Sequence, residues 1–230
     1  MVTTPQPIQY PDSDGQPMAD NTKQFEAIVY IKKGLDWLFA ADPLVFVAGD
    51  LLWYPTEGNN RRRQAPDVMV VFGRPKGDRG SYQQWKEADI APQVVFEVLS
   101  PGNTLAEMHR KTQFYQRYGV EEFYLYDPDR ATLDGFVRQD DWLEAIADLA
   151  DWVSPRLGIR LQLDAAGHLQ LLRPDGHPLE TYEQLATRAD QERARADQER
   201  DRADQERARA EAAEQELERL RAQLRAEGHG

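Results

Sequence analysis

Two short apolar runs, each introduced by a proline, decide the fold of this chain: PDVMVVFG at 66–73 and PQVVFEVLSP at 92–101. Both runs are continuous in Val, Met, Phe and Leu and do not alternate with polar residues. Strands with this pattern are covered on both faces, as in an α/β or α+β sheet. The two runs therefore predict buried strands in the core of a mixed fold.

The elements around these runs follow from their periodicity. Helical spacing begins near Thr22, and a second helix is predicted from Thr104 to Tyr118, with Gly119 as its stop. A strand is predicted in VFVAGDLLWYP. The polar stretch TEGNNRRRQA predicts a loop, and the polar segment 74–91 predicts a loop or a hairpin excursion. Further strands are predicted in EEFYLYDP, LDGFVRQ, RLGIRLQL and HLQLLRP. The order indicates an α/β core followed by a β-rich extension.

Composition divides the 230 residues into three parts. Residues 1–20 are rich in Pro, Asp and Gln and predict a flexible N-terminal arm. Residues 21–185 hold nearly all the aromatic and β-branched side chains and predict the folded domain. Residues 186–230 are almost entirely Ala, Arg, Asp, Glu and Gln and predict a charged helical tail.

The tail repeats every seven residues, as ADQERAR, ADQERDR and ADQERAR over 189–209. One heptad position holds Ala and then Leu, but the position three residues later holds Glu until about Ala210, so a two-position apolar seam exists only beyond that residue. Oppositely charged residues three apart support an exposed helix. Two readings stay open: a dimeric coiled coil through residues 186–230, and a solvated single helix with a short adhesive end.

Charge and composition exclude several classes of function. The net charge is −12 and the chain has no cysteine, so thiolate zinc sites, disulfides and cysteine nucleophiles are impossible. An acidic protein does not bind nucleic acid through its overall charge, so any phosphate contact needs a local basic patch; Arg61–Arg63 is the concentrated one, although a solvated turn is the simpler reading. No apolar stretch approaches a membrane span and no leader pattern opens the chain, which predicts a cytoplasmic protein.

Two carboxylates in the deciding runs carry the functional prediction. Asp67 follows Pro66 at the start of one strand, and Glu97 lies between Phe96 and Val98 inside the other. Burying an unpaired carboxylate is costly, so a residue at the position of Glu97 needs a partner. Adjacent strands that each present a carboxylate can bind one divalent cation, and Mg²⁺ or Mn²⁺ favours such oxygen ligands. The plainer alternatives are a turn role for Asp67 and a structural ion pair for Glu97.

The succession APDVMVV, PQVVFEVLSPGNT and KTQFYQRYGVEEFYLYDP resembles the Uma-type restriction endonuclease family of the PD-(D/E)XK superfamily. The resemblance runs from about Thr22 to Arg173. It implies a restriction-endonuclease-like core, in which a mixed central sheet is flanked by helices. It also implies a Mg²⁺-dependent endonuclease that acts on DNA.

Carried over to this chain, the resemblance makes Asp67 and Glu97 the metal-binding carboxylates. The strand lysine of the superfamily is missing, because position 99 is Leu99, and Lys111 on the second helix matches the family's helix lysine. Lys111 is therefore the predicted third catalytic residue, with a solvated helix lysine as the alternative. Glu26 on the first helix is a further candidate ligand, and Asp50 is another acidic candidate that could equally serve a turn.

Two hypotheses for the function follow. The first is a metal-dependent endonuclease that hydrolyses phosphodiester bonds, with DNA as the substrate. The second is a catalytically weak or inactive nuclease fold that binds or assembles, forming oligomers through its helical tail. The absent strand lysine and the acidic composition lend some weight to the second hypothesis, and the first remains the favoured one.

Overall fold

The computed structural model describes residues 8–227, which form two compact units. The first unit ends at Leu179 and the second begins at Glu180, before the predicted start of the tail at residue 186. The helices are α1 (Thr22–Leu38), α2 (Leu105–Arg117) and α3 (Tyr182–Glu227). The strands are β1 (Val45–Gly49), β2 (Trp53–Tyr54), β3 (Val68–Phe72), β4 (Tyr82–Gln83), β5 (Val94–Val98), β6 (Glu122–Asp127), β7 (Thr132–Gln139), β8 (Trp142–Ala145), β9 (Arg160–Leu163) and β10 (Leu169–Leu172).

A mixed sheet of six strands, in the order β1-β3-β5-β6-β7-β8, forms the centre of the first unit. Only β5 and β6 run parallel among its neighbouring strands, and α2 is the connection between them. The other pairs are antiparallel. The predicted α/β class with a mixed central sheet flanked by helices is confirmed.

Both faces of the sheet are covered, which explains why its deciding strands are apolar at every position except Glu97. One face, called here the α1 face, packs against Ile28, Ile31 and Leu35 of α1. The other, the α2 face, packs against Tyr115 and its neighbours on α2. Successive strand residues alternate between the two cores: Val68 and Val70 lie on the α1 face, and Met69 and Val71 lie on the α2 face.

The structure differs from the predicted elements at three places. The run VFVAGDLLWYP is two strands, because Asp50 between them takes a left-handed conformation with φ 47°. Strand β8, at the edge of the central sheet, was not predicted. The segment predicted as a loop or hairpin excursion at 74–91 contains β4, which pairs in parallel with β2, and a 3-10 turn at Gln84–Lys86. Polar composition concealed β4 because only two residues pair there.

Residues 9–11, within the predicted flexible arm, pack against other residues of the first unit. The Tyr10 ring packs against the rings of Tyr54 and Trp85, with centroids 5.2 and 4.9 Å away. The Pro11 carbonyl accepts a hydrogen bond from the Tyr54 hydroxyl at 2.7 Å. Over residues 8–227, no helix has the length and apolar character needed to cross a membrane.

Candidate active site

The register of β3 and β5 places Asp67 opposite Glu97. Val68 pairs with Phe96 at the end of this antiparallel ladder, and one further step brings Asp67 across from Glu97. Opposite residues of antiparallel strands have Cβ atoms about 5 Å apart. Because side chains alternate between faces, both carboxylates project from the α2 face. The two predicted metal ligands therefore lie side by side.

The backbone of Val98 holds this end of β5 in position. Its N–H donates to Asp67 Oδ2 at 2.6 Å, where the backbone ladder with β3 has ended. Its carbonyl accepts from Gln24 Nε2 of α1 at 2.8 Å. Gln24 is itself buried, with 6% of its surface exposed, and its Oε1 accepts from the Asp20 N–H. One residue of β5 thus links the Asp67 carboxylate to helix α1.

Helix α2 supplies the partners of Glu97. The helix begins after Thr104, whose side chain accepts a hydrogen bond from the Glu107 N–H as an N-cap. Lys111 and Tyr115 are four residues apart and so lie on one face of this helix. The Lys111 ammonium donates to Glu97 Oε2 at 2.7 Å, and the Tyr115 hydroxyl donates to Oε1. Glu97 is 2% exposed, so both of its oxygens are satisfied inside the protein.

The pKa values of Asp67, Glu97 and Lys111 follow from their burial and from the charges that they exert on one another. Burial, and then the charge of Glu97, raise the pKa of Asp67 well above its ordinary value. Burial also raises the pKa of Glu97, although the charge and hydrogen bond of Lys111 and the bond from Tyr115 oppose it. Burial alone would lower the pKa of Lys111, but the carboxylates of Glu97 and Asp67 outweigh it and raise that pKa. Lys111 is therefore a cation that compensates both carboxylates.

Asp50 is a third acidic residue next to this pair. Its N–H donates to the Asp67 carbonyl at 3.2 Å, and its side chain is exposed. The atoms packed against one part of the Asp50 side chain partly desolvate it, and this effect and the charge of Asp14 raise its pKa, whereas the charge of Lys111 lowers it. The three acidic residues follow one another across β1, β3 and β5 at the same end of the sheet.

The structure does not bring every predicted residue to this place. Glu26 is exposed on α1, and within residues 8–227 no hydrogen bond or ion pair joins it to Asp67 or Glu97. Two residues along a helix turn the side chain by about 200°, so the α1 residue that reaches the site strand is Gln24. The prediction of Glu26 as a ligand gains no support. Arg61 and Arg62 are exposed in the loop before β3, whereas Arg63 lies 3.4 Å from the Tyr54 hydroxyl.

The oxygen ligands at the site fit Mg²⁺ or Mn²⁺. In the part of the chain that the structure describes, no group of three or more His, Cys, Asp or Glu side chains is arranged around a common ion position. Mg²⁺ is commonly held by only one or two carboxylates, with water and substrate phosphates completing its shell. Asp67 and Glu97 satisfy that minimum.

Tyr115 and Gln24 contact the site and were not among the residues predicted from the sequence. The sequence carried a signal for each. Tyr115 follows Lys111 by one helical turn and so had to share its face. Gln24 continues the 24-28-31-35 spacing of the apolar stripe on α1, where a polar residue needs a buried partner.

A second buried carboxylate, Glu122, lies at the other end of the sheet and has a different environment. It accepts from the Tyr124 hydroxyl at 2.9 Å, from the Arg156 N–H at 2.7 Å and from the Ser154 hydroxyl. No Lys or Arg side chain contributes to these hydrogen bonds. They tie the segment before β9 to β6, so Glu122 stabilises the fold.

The chain is similar to a known protein family and to a solved structure. A family model, Uma2, described as "Putative restriction endonuclease", matches residues 13–166, which include the whole site. A similar solved structure is that of "a putative nuclease belonging to DUF820" from Anabaena variabilis, at 18% identity and a TM-score of 0.46. The alignment covers 66% of this chain and 78% of that one. No curated protein matches the sequence.

Proposed function

The chain is a member of the Uma2 restriction endonuclease family, and we propose that it is a metal-dependent endonuclease that hydrolyses phosphodiester bonds in DNA. Asp67 and Glu97 would hold Mg²⁺ or Mn²⁺, and Lys111 would act beside them. One observation carries the proposal. Two carboxylates on adjacent strands face the same helix, and the single lysine of that helix donates to one of them while its charge acts on both.

A divalent cation bound here would stabilise negative charge on the scissile phosphate and lower the pKa of an attacking water. Glu97 keeps a fixed orientation for this purpose, because Lys111 and Tyr115 each donate to one of its oxygens. Asp67 is fixed by the Val98 N–H, which leaves its other oxygen available. The chain therefore orients both ligands before any substrate arrives.

Lys111 supplies the positive charge that the strand position lacks. Leu99 occupies that position, and its N–H donates to the Tyr126 carbonyl at 2.7 Å as part of the sheet. The Lys111 ammonium is one helical turn from Tyr115 and retains N–H donors beyond the one bonded to Glu97. Those donors can bind a phosphate oxygen or the attacking water. Its raised pKa keeps it protonated in neutral solution.

Tyr115 is a positioning residue in this proposal. Its hydroxyl is buried and bonds Glu97, and burial and then the charge of Glu97 raise its pKa well above the ordinary value. It therefore stays protonated and remains a donor. Without it, one oxygen of Glu97 would lose its hydrogen bond and the carboxylate could rotate.

The alternative, an inactive nuclease fold used for assembly, drew support from the absent strand lysine. The contact between Lys111 and Glu97 weakens that reason, since a lysine lies at the carboxylates from another element. The acidic composition still favours the alternative, because it offers a nucleic acid little general attraction. A cleavage assay separates the two.

The test is cleavage of supercoiled, linear and single-stranded DNA, and of RNA, with Mg²⁺, with Mn²⁺ or with EDTA. We expect metal-dependent cleavage of DNA, its loss in Asp67→Asn, and a rate at least about 100-fold lower in Lys111→Met. The matched controls are Asp134→Asn and Lys33→Met, which make the same changes at exposed positions. Absence of metal-dependent cleavage by the folded protein, or equal rates for wild type and Asp67→Asn, would contradict the proposal; cleavage of RNA alone would contradict its substrate.

A further inference from the structure

Helix α3 is a long element whose surface is exposed over most of the described residues. It spans 46 residues, which corresponds to a length of about 69 Å. Side chains from 186 to 221 are exposed throughout. Ion pairs within the helix contribute to its stability, such as Arg202 with Glu206 at 3.3 Å and Arg219 with Glu216 at 3.7 Å. Over residues 186–221 the helix therefore has no apolar partner within its own unit.

The heptad pattern changes along this helix. If Ala189 is placed at heptad position a, position d is Glu through the three repeats, at 192, 199 and 206. From residue 210 onward both positions are apolar: Ala210, Ala213, Leu217, Leu220 and Leu224. Leu217 and Leu220 are 48% and 50% exposed, although apolar residues at these positions normally lie inside a coiled coil.

The charges beside the seam change at the same place. In a parallel coiled coil, position g of one chain faces position e of the following heptad in its partner. Around the apolar seam these pairs are Arg209 with Glu214 and Glu216 with Arg221, and both are attractive. In the repeats before it, the equivalent pairs join Arg to Arg, at 195 with 200 and at 202 with 207, and they repel.

We propose that residues 209–224 bind a second copy of this chain as a parallel two-stranded coiled coil, while the repeats at 189–207 stay unpaired. Apolar side chains at positions a and d coincide with complementary charges only in residues 209–224. Residues 189–207 instead combine acidic d positions with like charges at positions g and e. The seam is little more than two heptads long, so the dimer is reversible and depends on concentration. Each dimer therefore carries two copies of the first unit. This conclusion does not rest on the proposed catalytic activity.

The first test is the mass of the full chain in solution, measured by sedimentation equilibrium across a range of concentrations. We expect a monomer–dimer equilibrium, and a dissociation constant raised at least about tenfold by Ala213→Glu. Ala212→Glu is the matched control, since it makes the same change at the next residue, outside the seam. A monomer at every concentration, or equal effects of the two variants, would overturn the proposal. Circular dichroism checks that both variants remain helical.

The second test concerns the parallel orientation. The chain has no cysteine, so an introduced one can bond only with its counterpart. In the parallel dimer, Ala213→Cys brings two cysteines close enough for a disulfide, and Ala212→Cys holds them apart on the outer surface. We expect oxidation to link the first variant and not the second. A dimer in which neither Ala213→Cys nor Leu220→Cys forms the link would refute the parallel arrangement.

Charge exchange tests the partner pairs. Glu216→Arg places Arg opposite Arg221 and should weaken the dimer, whereas Glu216→Arg combined with Arg221→Glu restores opposite charges and should recover it. Equal weakening by the single and the double variant would contradict the assigned heptad register.

Discussion

Replacing Lys111 by Met removes the only cationic side chain that bonds Glu97 in the described structure. The Nζ–Oε2 distance is 2.7 Å, and the two side chains are 13% and 2% exposed. Methionine keeps most of the volume of the lysine stem, so the change acts mainly on charge. Glu97 would retain the hydrogen bond from Tyr115 and lose its compensating positive charge.

The expected cost depends on pH. Removing one partner of a buried ion pair costs about 3–5 kcal/mol, and the lower end applies here because Glu97 can take up a proton. The pKa of Glu97 is already raised by burial, and loss of Lys111 raises it further. A carboxylate with a raised folded-state pKa contributes stability that is present below its unfolded pKa and is lost as pH rises through the folded value. The deficit of Lys111→Met should therefore be small near pH 5 and about 3 kcal/mol at pH 8.

Urea unfolding followed by tryptophan fluorescence measures this cost. All five tryptophans belong to the first unit, so the signal reports that unit alone: Trp37, Trp53, Trp85, Trp142 and Trp152. The measurement is made in EDTA at pH 5 and pH 8, with the exposed Lys33→Met as the matched control. Adding Glu97→Gln to Lys111→Met should recover most of the lost stability at pH 8, because the uncompensated charge is gone.

The reasoning is refuted if Lys111→Met costs less than about 1 kcal/mol at pH 8, which is the range of exposed ion pairs. It is equally refuted if the cost does not change between the two pH values, or if the Lys111 and Glu97 substitutions add independently. Mg²⁺ should stabilise Lys111→Met more than wild type, because the cation replaces the missing charge.

Three further predictions concern the neighbours of this pair. Asp67→Asn should increase the free energy of unfolding in EDTA at pH 8 by about 1 kcal/mol. The raised pKa of Asp67 means that its ionised form is unfavourable in the folded protein, and Asn has no charge to bury. A decrease in the free energy of unfolding, measured with urea, would contradict this. Tyr115→Phe should lower the free energy of unfolding by about 1.5–3 kcal/mol. It should also move the acidic limb of the kcat/KM profile to higher pH, because the Tyr115 hydroxyl lowers the pKa of Glu97. An unchanged profile would remove Tyr115 from the site. Gln24→Leu should cost about 1–3 kcal/mol by leaving the Val98 carbonyl without its donor, and a cost equal to that of an exposed substitution would show that this bond is not needed.

The central strands were predictable because both faces of the sheet are buried, so β3 and β5 are apolar at every position except Glu97. Their register was not predictable, since the polar segment 74–91 joins them and its sequence does not fix how they align. That register decides whether Asp67 and Glu97 share a face, because a slip of one residue would place them on opposite faces. The family resemblance named the two carboxylates, and the ladder explains why they meet.

The contribution of α2 was only partly predictable. Helical periodicity and Gly119 set the limits of the helix, but whether Lys111 points toward the sheet depends on how the helix packs. Tyr115 provides the reason, since it is fully buried on the same face and carries Lys111 inward with it. Glu26 stays an untested candidate: helix phase, which Gln24 and Ile28 define, turns its side chain to solvent.

Binding of Mn²⁺ to the apo protein, titrated by calorimetry or electron paramagnetic resonance, decides whether Asp67 and Glu97 form a metal site. We predict that wild type and Glu26→Gln bind the ion equally, and that Asp67→Asn and Glu97→Gln each lose at least about tenfold in affinity. Binding of wild type should strengthen as pH rises, because the raised pKa of Asp67 leaves it protonated in acid. Undiminished binding by Asp67→Asn, or no binding by wild type, would contradict the assignment.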